Sequence, residues 1–305
     1  MIRYLGGRLA QSAIVVVGVS VIVFASLHLA GDPVALMLPP DASYQDMQRY
    51  RHLLGFDEPM PEQYLQYAIK ALHGNFGTSI RYNLPAVPLM LEHLPATASL
   101  AAAALTWSTV AGVVIGIYAA LHRGGAVDYA ARILALAGQA IPVFWLGPML
   151  ILYFSVQRGW FPTGGFGLGA HLVLPAVTLG AYYLAIVIRL MRTSVLASLQ
   201  QDHVRTARAK GLAPRRIIIR HVLRNSWLPV ISMLGLQAGS VMGGAVVTEV
   251  VFAWPGLGRL AAQAISGRDF PLVQAIVLFS AIVFVLVNLT ADVVYMVADP
   301  RIRYS

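Results

Sequence analysis

There is no cysteine among the 305 residues of this chain, and there are only two lysines. The first absence excludes disulfides and thiolate metal sites outright. The second is nearly as informative. Lys70 is followed by Ala71 and Lys210 by Gly211, so no G-x-x-x-x-G-K-[ST] phosphate loop can be formed and the chain cannot be its own nucleotide-driven motor. Neither H-E-x-x-H nor G-x-S-x-G occurs, which removes the usual parts of a zinc or serine hydrolase. Charge is scarce too, at 11% Asp, Glu, Lys and Arg, against the roughly one quarter of an ordinary soluble chain.

What is present is apolar: 58% of residues are hydrophobic and the mean hydropathy is +0.69. Six segments approach or exceed the ~20 residues needed to cross a ~30 Å hydrocarbon core, at about 10–31, 97–121, 133–156, 171–191, 228–251 and 273–297. The expected fold is an all-α integral membrane protein with six transmembrane helices. Arg3 and Arg8 ahead of the first run resemble a signal peptide, but the run exceeds the usual apolar region and no A-x-A-like cleavage site follows. It is read as a spanning helix, residues 1–31.

Basic residues set the orientation. With the N-terminus inside, fifteen Lys and Arg face three carboxylates on the inner side, and seven face eight carboxylates on the outer side. The positive-inside rule then places both termini in the cytoplasm. The +9 net charge is explained by this topology, so no nucleic-acid partner is needed, and anionic lipid is the default neighbour of the inner charges.

Four regions follow: the first helix, an extracytoplasmic segment 32–95, a five-helix body 96–297, and a cytoplasmic tail 298–305. The outer segment is punctuated by proline and glycine (Pro59, Pro61, Gly74, Gly77, Pro85), which predicts short helices near 42–54 and 61–73. Pro142 and Pro148 should kink the third span. In the fifth span Gly235, Gly239 and Gly243 recur every four residues, a bare face that lets another helix approach closely; Gly112 and Gly116 make a weaker second case.

The inner loop 193–226 holds an unusual stretch, ARAKGLAPRRIIIRH. Arg208, Lys210, Arg215, Arg216 and Arg220 crowd together there without a carboxylate. Its local grammar predicts a two-turn helix from His203 to Lys210 capped by Asp202, a left-handed stop at Gly211, and a second helix opening on Pro214. Arg216, Arg220 and Arg224 then recur as one stripe. Voltage sensing would require such arginines within a span. A short, sharply terminated helix on a membrane body suits docking into a cytoplasmic partner; contact with lipid headgroups is the blander possibility.

The run DHVRTARAKGLAPRRIIIRHVLRNSWLPV, 202–230, resembles the EAA loop of ABC-importer permeases, specifically the dipeptide/oligopeptide/nickel permease family. Arg205, Thr206, Ala207, Gly211 and Pro229 match the loop pattern, with Arg205 and Thr206 in the form this subfamily shows. LAGDP, LGFDEPMPEQY, LPATASL, TEVVFAWPGLGRL and ADPRIRY follow in family order. The resemblance implies a type I ABC-importer permease fold in a bacterial inner membrane. It implies pairing with a second homologous permease, docking of two cytoplasmic ATPase subunits that bind ATP and Mg, and a solute, most plausibly a dipeptide or short oligopeptide, brought by an extracytoplasmic binding protein. This chain would bind no cofactor itself. Arg205, Thr206, Ala207, Arg208, Lys210, Gly211 and Arg215 would couple to the ATPases, and Glu249 with Trp254 would serve the translocation path or a gate. The rival class is a proton-coupled secondary transporter using Glu249 and Asp292. Both lie toward span ends, away from the midplane where coupling sites sit.

Overall fold

The computed structural model describes residues 2–29, 34 and 43–298. Asp32, the LAGDP stretch beyond Leu29, the side chain of Asp292 and the tail from Asp299 lie outside the described residues. All regular structure among the described residues is helical apart from an isolated bridge between Thr78 and Pro85. Four helices are long and apolar enough to cross a membrane, and up to six spans result if each of two bent pairs counts as one. The first pair, Ala126–Ala140 and Val143–Gln157, breaks by 108° at Ile141–Pro142, where proline removes a helical donor and restricts the residue before it. Pro148 is accommodated inside the following helix.

The chain divides into two compact units. One comprises Met1–Pro95 and Gly256–Val285. It contains α1 (Ile2–Leu29), α2 (Tyr44–Leu54), α3 (Met60–Leu72), the start of α4 (Ala86–Leu121), α11 (Leu257–Ser266) and the start of α12 (Phe270–Ala298). Local signals explain the short helices. Ser43 accepts a hydrogen bond from the Asp46 amide to cap α2, and Gly55 at φ +75° stops it. α3 packs on α1 through aromatics: Phe24 meets Tyr64 edge-on at 5.5 Å between ring centres, and the Ser20 and Tyr64 hydroxyls are 2.8 Å apart. Ala86, Leu89 and Met90 bury against Leu257, Leu260, Leu272 and Ile276. The fully buried Asp269 ties this unit together. It accepts hydrogen bonds from the Ser79 hydroxyl and from the amides of Arg81, at 3.2 Å, and Leu272, at 3.4 Å, so it caps α12 and holds the 79–85 turn.

The second unit comprises Ala96–Pro255 and Leu286–Ser305. At its centre runs α7 (Ala170–Leu199), flanked by α4, α5 (Ala126–Ala140), α6 (Val143–Leu150, continued as a π turn) and α10 (Leu223–Val251). Close approach depends on missing side chains. A Cβ on Gly112 would meet Val187 at 2.8 Å, one on Gly116 would meet Met191 at 2.8 Å, and one on Gly138 would meet the Ala181 carbonyl at 2.8 Å. Gly180 makes room for Trp107, whose ring N–H donates to the Ala176 carbonyl at 2.7 Å.

Both glycine series contain close contacts. Gly112 and Gly116 lie in the tight contact, because both lie on the stripe of α4 turned toward α7. Gly235 and Gly239 differ from Gly243. A Cβ on Gly235 would strike Ala291 at 2.5 Å and Gly239 is buried, whereas Gly243 has nothing within 4 Å. Spacing of four puts residues on one face, and only the neighbour decides whether that face is covered.

Candidate functional site

The loop between α7 and α10 folds into α8 (Asp202–Ala209), a turn, α9 (Pro214–Ile217) and a π-helical turn, Ile218–Val222, that runs into α10. Gln201 takes the N-cap position with extended backbone and makes no side-chain cap; Asp202, expected as the cap, is the first helical residue, so the helix starts one place earlier than predicted. The stop is at Gly211, φ +71°, where the Gly211 amide donates to the Arg208 carbonyl at 2.9 Å and the Leu212 amide to Ala207 at 3.3 Å. Pro214 opens α9 at a position where no amide is needed.

Two faces of α8 do different work. Val204, fully buried, and Ala207, at 4% exposure, pack with Ile217 and Val222 against Val187, Met191 and Val195. Arg205, Thr206, Arg208, Ala209 and Lys210 face outward, as do Gly211 and Arg215. Ala207, three residues after Val204 and so on the same side of α8, seals the helix onto the body with its methyl. The arginine stripe is interrupted, because the π turn shifts the helical phase between Arg216 and Arg224, although Arg216, Arg220 and Arg224 all remain exposed. A surface pocket lined by Ala213, Arg215, Arg216, Ile219 and Arg220 lies beside it. Among these cations the described ion pairs include only Arg205 with Asp202, at 3.6 Å and well exposed.

The base on which α8 sits is fastened by a charge pair that spacing does not reveal. Arg192, near the end of α7, grips Asp128 at the start of α5 with both arms of its guanidinium, at 2.6 and 2.9 Å. Asp128 is 1% exposed and also accepts from the Gly124 amide at 3.0 Å, with Arg132 at 3.7 Å. The geometry is a bidentate, nearly dry fork. In the sequence the partners are 64 residues apart and read as two ordinary inner charges.

Glu249 and Trp254 are both fully buried. Thr97 donates its hydroxyl to Glu249 Oε1 at 2.6 Å, and the Trp254 ring N–H donates to the Ala96 carbonyl at 2.8 Å. These bonds explain why the LPATASL and TEVVFAWPG stretches occur together: the end of α10 and the α4 segment at 96–97 are one hydrogen-bonded joint. Neither side chain lies on an open surface in this conformation, so a gate here would have to break those bonds to open.

The sequence was compared with known proteins. The family described as binding-protein-dependent transport system inner membrane component matches residues 112–304, and the N-terminal model of such membrane components matches residues 1–101. The glutathione transport system permease protein GsiC of Escherichia coli (strain K12) is 39% identical over 306 residues, covering all of both chains. The dipeptide transport system permease protein DppB of the same organism is 37% identical over 342 residues, again covering all of both. Among solved structures, an inward-facing conformation of the MetNI methionine ABC transporter superposes with a TM-score of 0.56 at 18% identity, covering 69% of this chain and 96% of that one.

Proposed function

We infer function from a membership: this chain belongs to the family of binding-protein-dependent transport system inner membrane components. It is a permease subunit of an ABC importer of the peptide class, and the proton-coupled alternative is set aside. The superposition with a methionine importer carries the fold alone. A chain with these apolar helices is a multi-pass protein of the inner membrane.

Beyond that, we propose that it pairs with a second permease and receives a dipeptide or short oligopeptide from an extracytoplasmic binding protein. Both termini lie in the cytoplasm, and two ATPase subunits, which hold the ATP and Mg, dock on the 193–226 loop. The observation that carries the docking is the division of α8 and its C-cap into a sealed face, Val204 and Ala207, and an exposed cationic face, Arg205, Arg208 and Lys210. A helix sealed to its own body on one side moves with that body, and a partner holding its other side can transmit force. Arginine suits the task because its charge is permanent and its fork matches carboxylates.

Gly211 tests this. Nothing lies within 4 Å of a Cβ built there, so its only demand is the φ of +71°. Gly211→Val is strained in that conformation by about 1–2 kcal/mol, whereas asparagine tolerates it. The valine variant should lose ATPase subunits on affinity purification and the asparagine variant should keep them. Equal retention by both would overturn the docking geometry.

A further inference from the structure

In the middle of α10 stands a side chain that no part of the joint, the fork or the loop uses. Gln237 is 4% exposed, and both its amide nitrogen and its carbonyl oxygen are buried without a hydrogen-bond partner. A carboxamide can donate twice and accept twice. Within a membrane span there is no bulk water to satisfy it, so such groups persist where they are used. Asp128 shows that this unit can satisfy a buried polar group completely. Among the described residues of this unit the Thr248 hydroxyl is likewise buried without a partner, and Gln237 leaves both polar atoms of its amide so.

Its surroundings point to use in another conformation. One turn beyond Gln237 the span bends by 53° between Pro214–Val241 and Ala245–Val251. Gly235 and Gly239 flank it without side chains, and at Gly235 the backbone is seated closely on Ala291. Polar atoms continue outward from it: the exposed Ser240 donates to the Gln237 backbone carbonyl at 3.0 Å, and its hydroxyl lies 3.4 Å from the Tyr183 hydroxyl. A turn of α10 about the bend would change which groups the amide faces.

We propose that Gln237 is a specificity-determining residue of the translocation path, turned in and unsatisfied in this conformation and bonded to a peptide unit of the solute in the conformation that admits it. The chemistry selects the ligand class. A peptide unit offers one donor and one acceptor side by side, and a carboxamide is the side chain that answers both at once. The assignment rests on the peptide-importer reading.

The test uses the whole complex with its own binding protein, in lipid nanodiscs for stability and in vesicles for uptake. The probes are a labelled dipeptide and glutathione. Gln237→Leu has similar volume and no polar atom, so it should raise Tm by roughly 2 °C or more, because it removes an unsatisfied buried group. The same variant should cut uptake about tenfold while basal ATP hydrolysis stays within about twofold. Gln237→Asn should retain intermediate uptake. Uptake by Gln237→Leu within about twofold of wild type would overturn the proposal. A lowered Tm with parallel falls in uptake and hydrolysis would also overturn it, since that is the signature of a structural role. Absence of ATP-driven uptake of either probe by the wild-type complex would overturn the peptide reading, and this assignment with it.

Discussion

Arg192 and Arg208 lie sixteen residues apart and carry the same group, yet the chain treats them in opposite ways. Arg192 is held by both arms to Asp128, 1% exposed, in a pair that further accepts a backbone amide. Arg208 and its neighbours Lys210, Arg215, Arg216, Arg220 and Arg224 stand exposed with no described ion pair, and Arg205 has only a loose contact with Asp202. The chain can therefore neutralise an arginine thoroughly, as it does beneath the loop, while the loop's own cations are left exposed with no described ion pair beyond that of Arg205. A buried pair of this kind fixes the base; free cations on a rigid helix are fit to be bound by something else. Their difference separates anchorage from docking, and that separation can be attacked from either end.

The largest effect belongs to the anchor. Asp128→Asn leaves Arg192 mostly buried without its counter-charge, and breaking such a pair costs about 3–5 kcal/mol. The purified permease should lose on the order of 10 °C in Tm, or fail to accumulate, in a fluorescence melting scan. An Asp128→Asn, Arg192→Gln double variant should recover part of the loss, which would show that the unpaired charge is the cause. A small change in the single variant would mean the fork anchors nothing. At an intermediate distance from it, Arg132 reaches Asp128 only at 3.7 Å and is half exposed. Arg132→Gln should change stability by no more than about 0.5 kcal/mol, and a melting shift beyond about 2 °C would give this residue a share in the anchor. The smallest effect is expected at the loop itself. Asp202→Asn removes an exposed contact at 3.6 Å, so both Tm and ATPase retention should stay within error of wild type. A measurable loss would show that Arg205 depends on its own chain, which would blur the contrast.

How much of this could be read from the sequence depends on range. The turn at Gly211 and the start of α9 at Pro214 were legible because a left-handed φ and a proline at the first helical position are demands of single residues. Helices near 42–54 and 61–73 appear at Tyr44–Leu54 and Met60–Leu72, marked by Ser43, Gly55 and Pro61. The π turn at 218–222 carries no comparable mark, and it cut through a stripe that spacing alone made continuous. Glycine periodicity exposed two bare helix faces but could not say which positions on them were covered, because Val187 and Met191 opposite Gly112 and Gly116, and Ala291 opposite Gly235, come from distant helices. Asp128 and Arg192, Thr97 and Glu249, and Ser79 and Asp269 are pairs of the same kind, each joined across 64 residues or more. Such pairs are written in the fold. Gln237 is illegible for the opposite reason, since one amide in an apolar span becomes notable only when its partners can be counted.

The central claim is that the cations of α8 stand exposed because a cytoplasmic partner binds them. Its most direct measurement is the number of ATPase subunits retained per permease on a tagged Arg205→Glu, Arg208→Glu double variant, read together with its Tm. Both side chains are exposed, so reversal should leave Tm within about 2 °C and membrane insertion intact. The account predicts that retention falls at least about fivefold and that solute-stimulated ATP hydrolysis falls with it. Retention at the wild-type ratio with normal stimulation would contradict it and leave lipid headgroups as the partner of these charges.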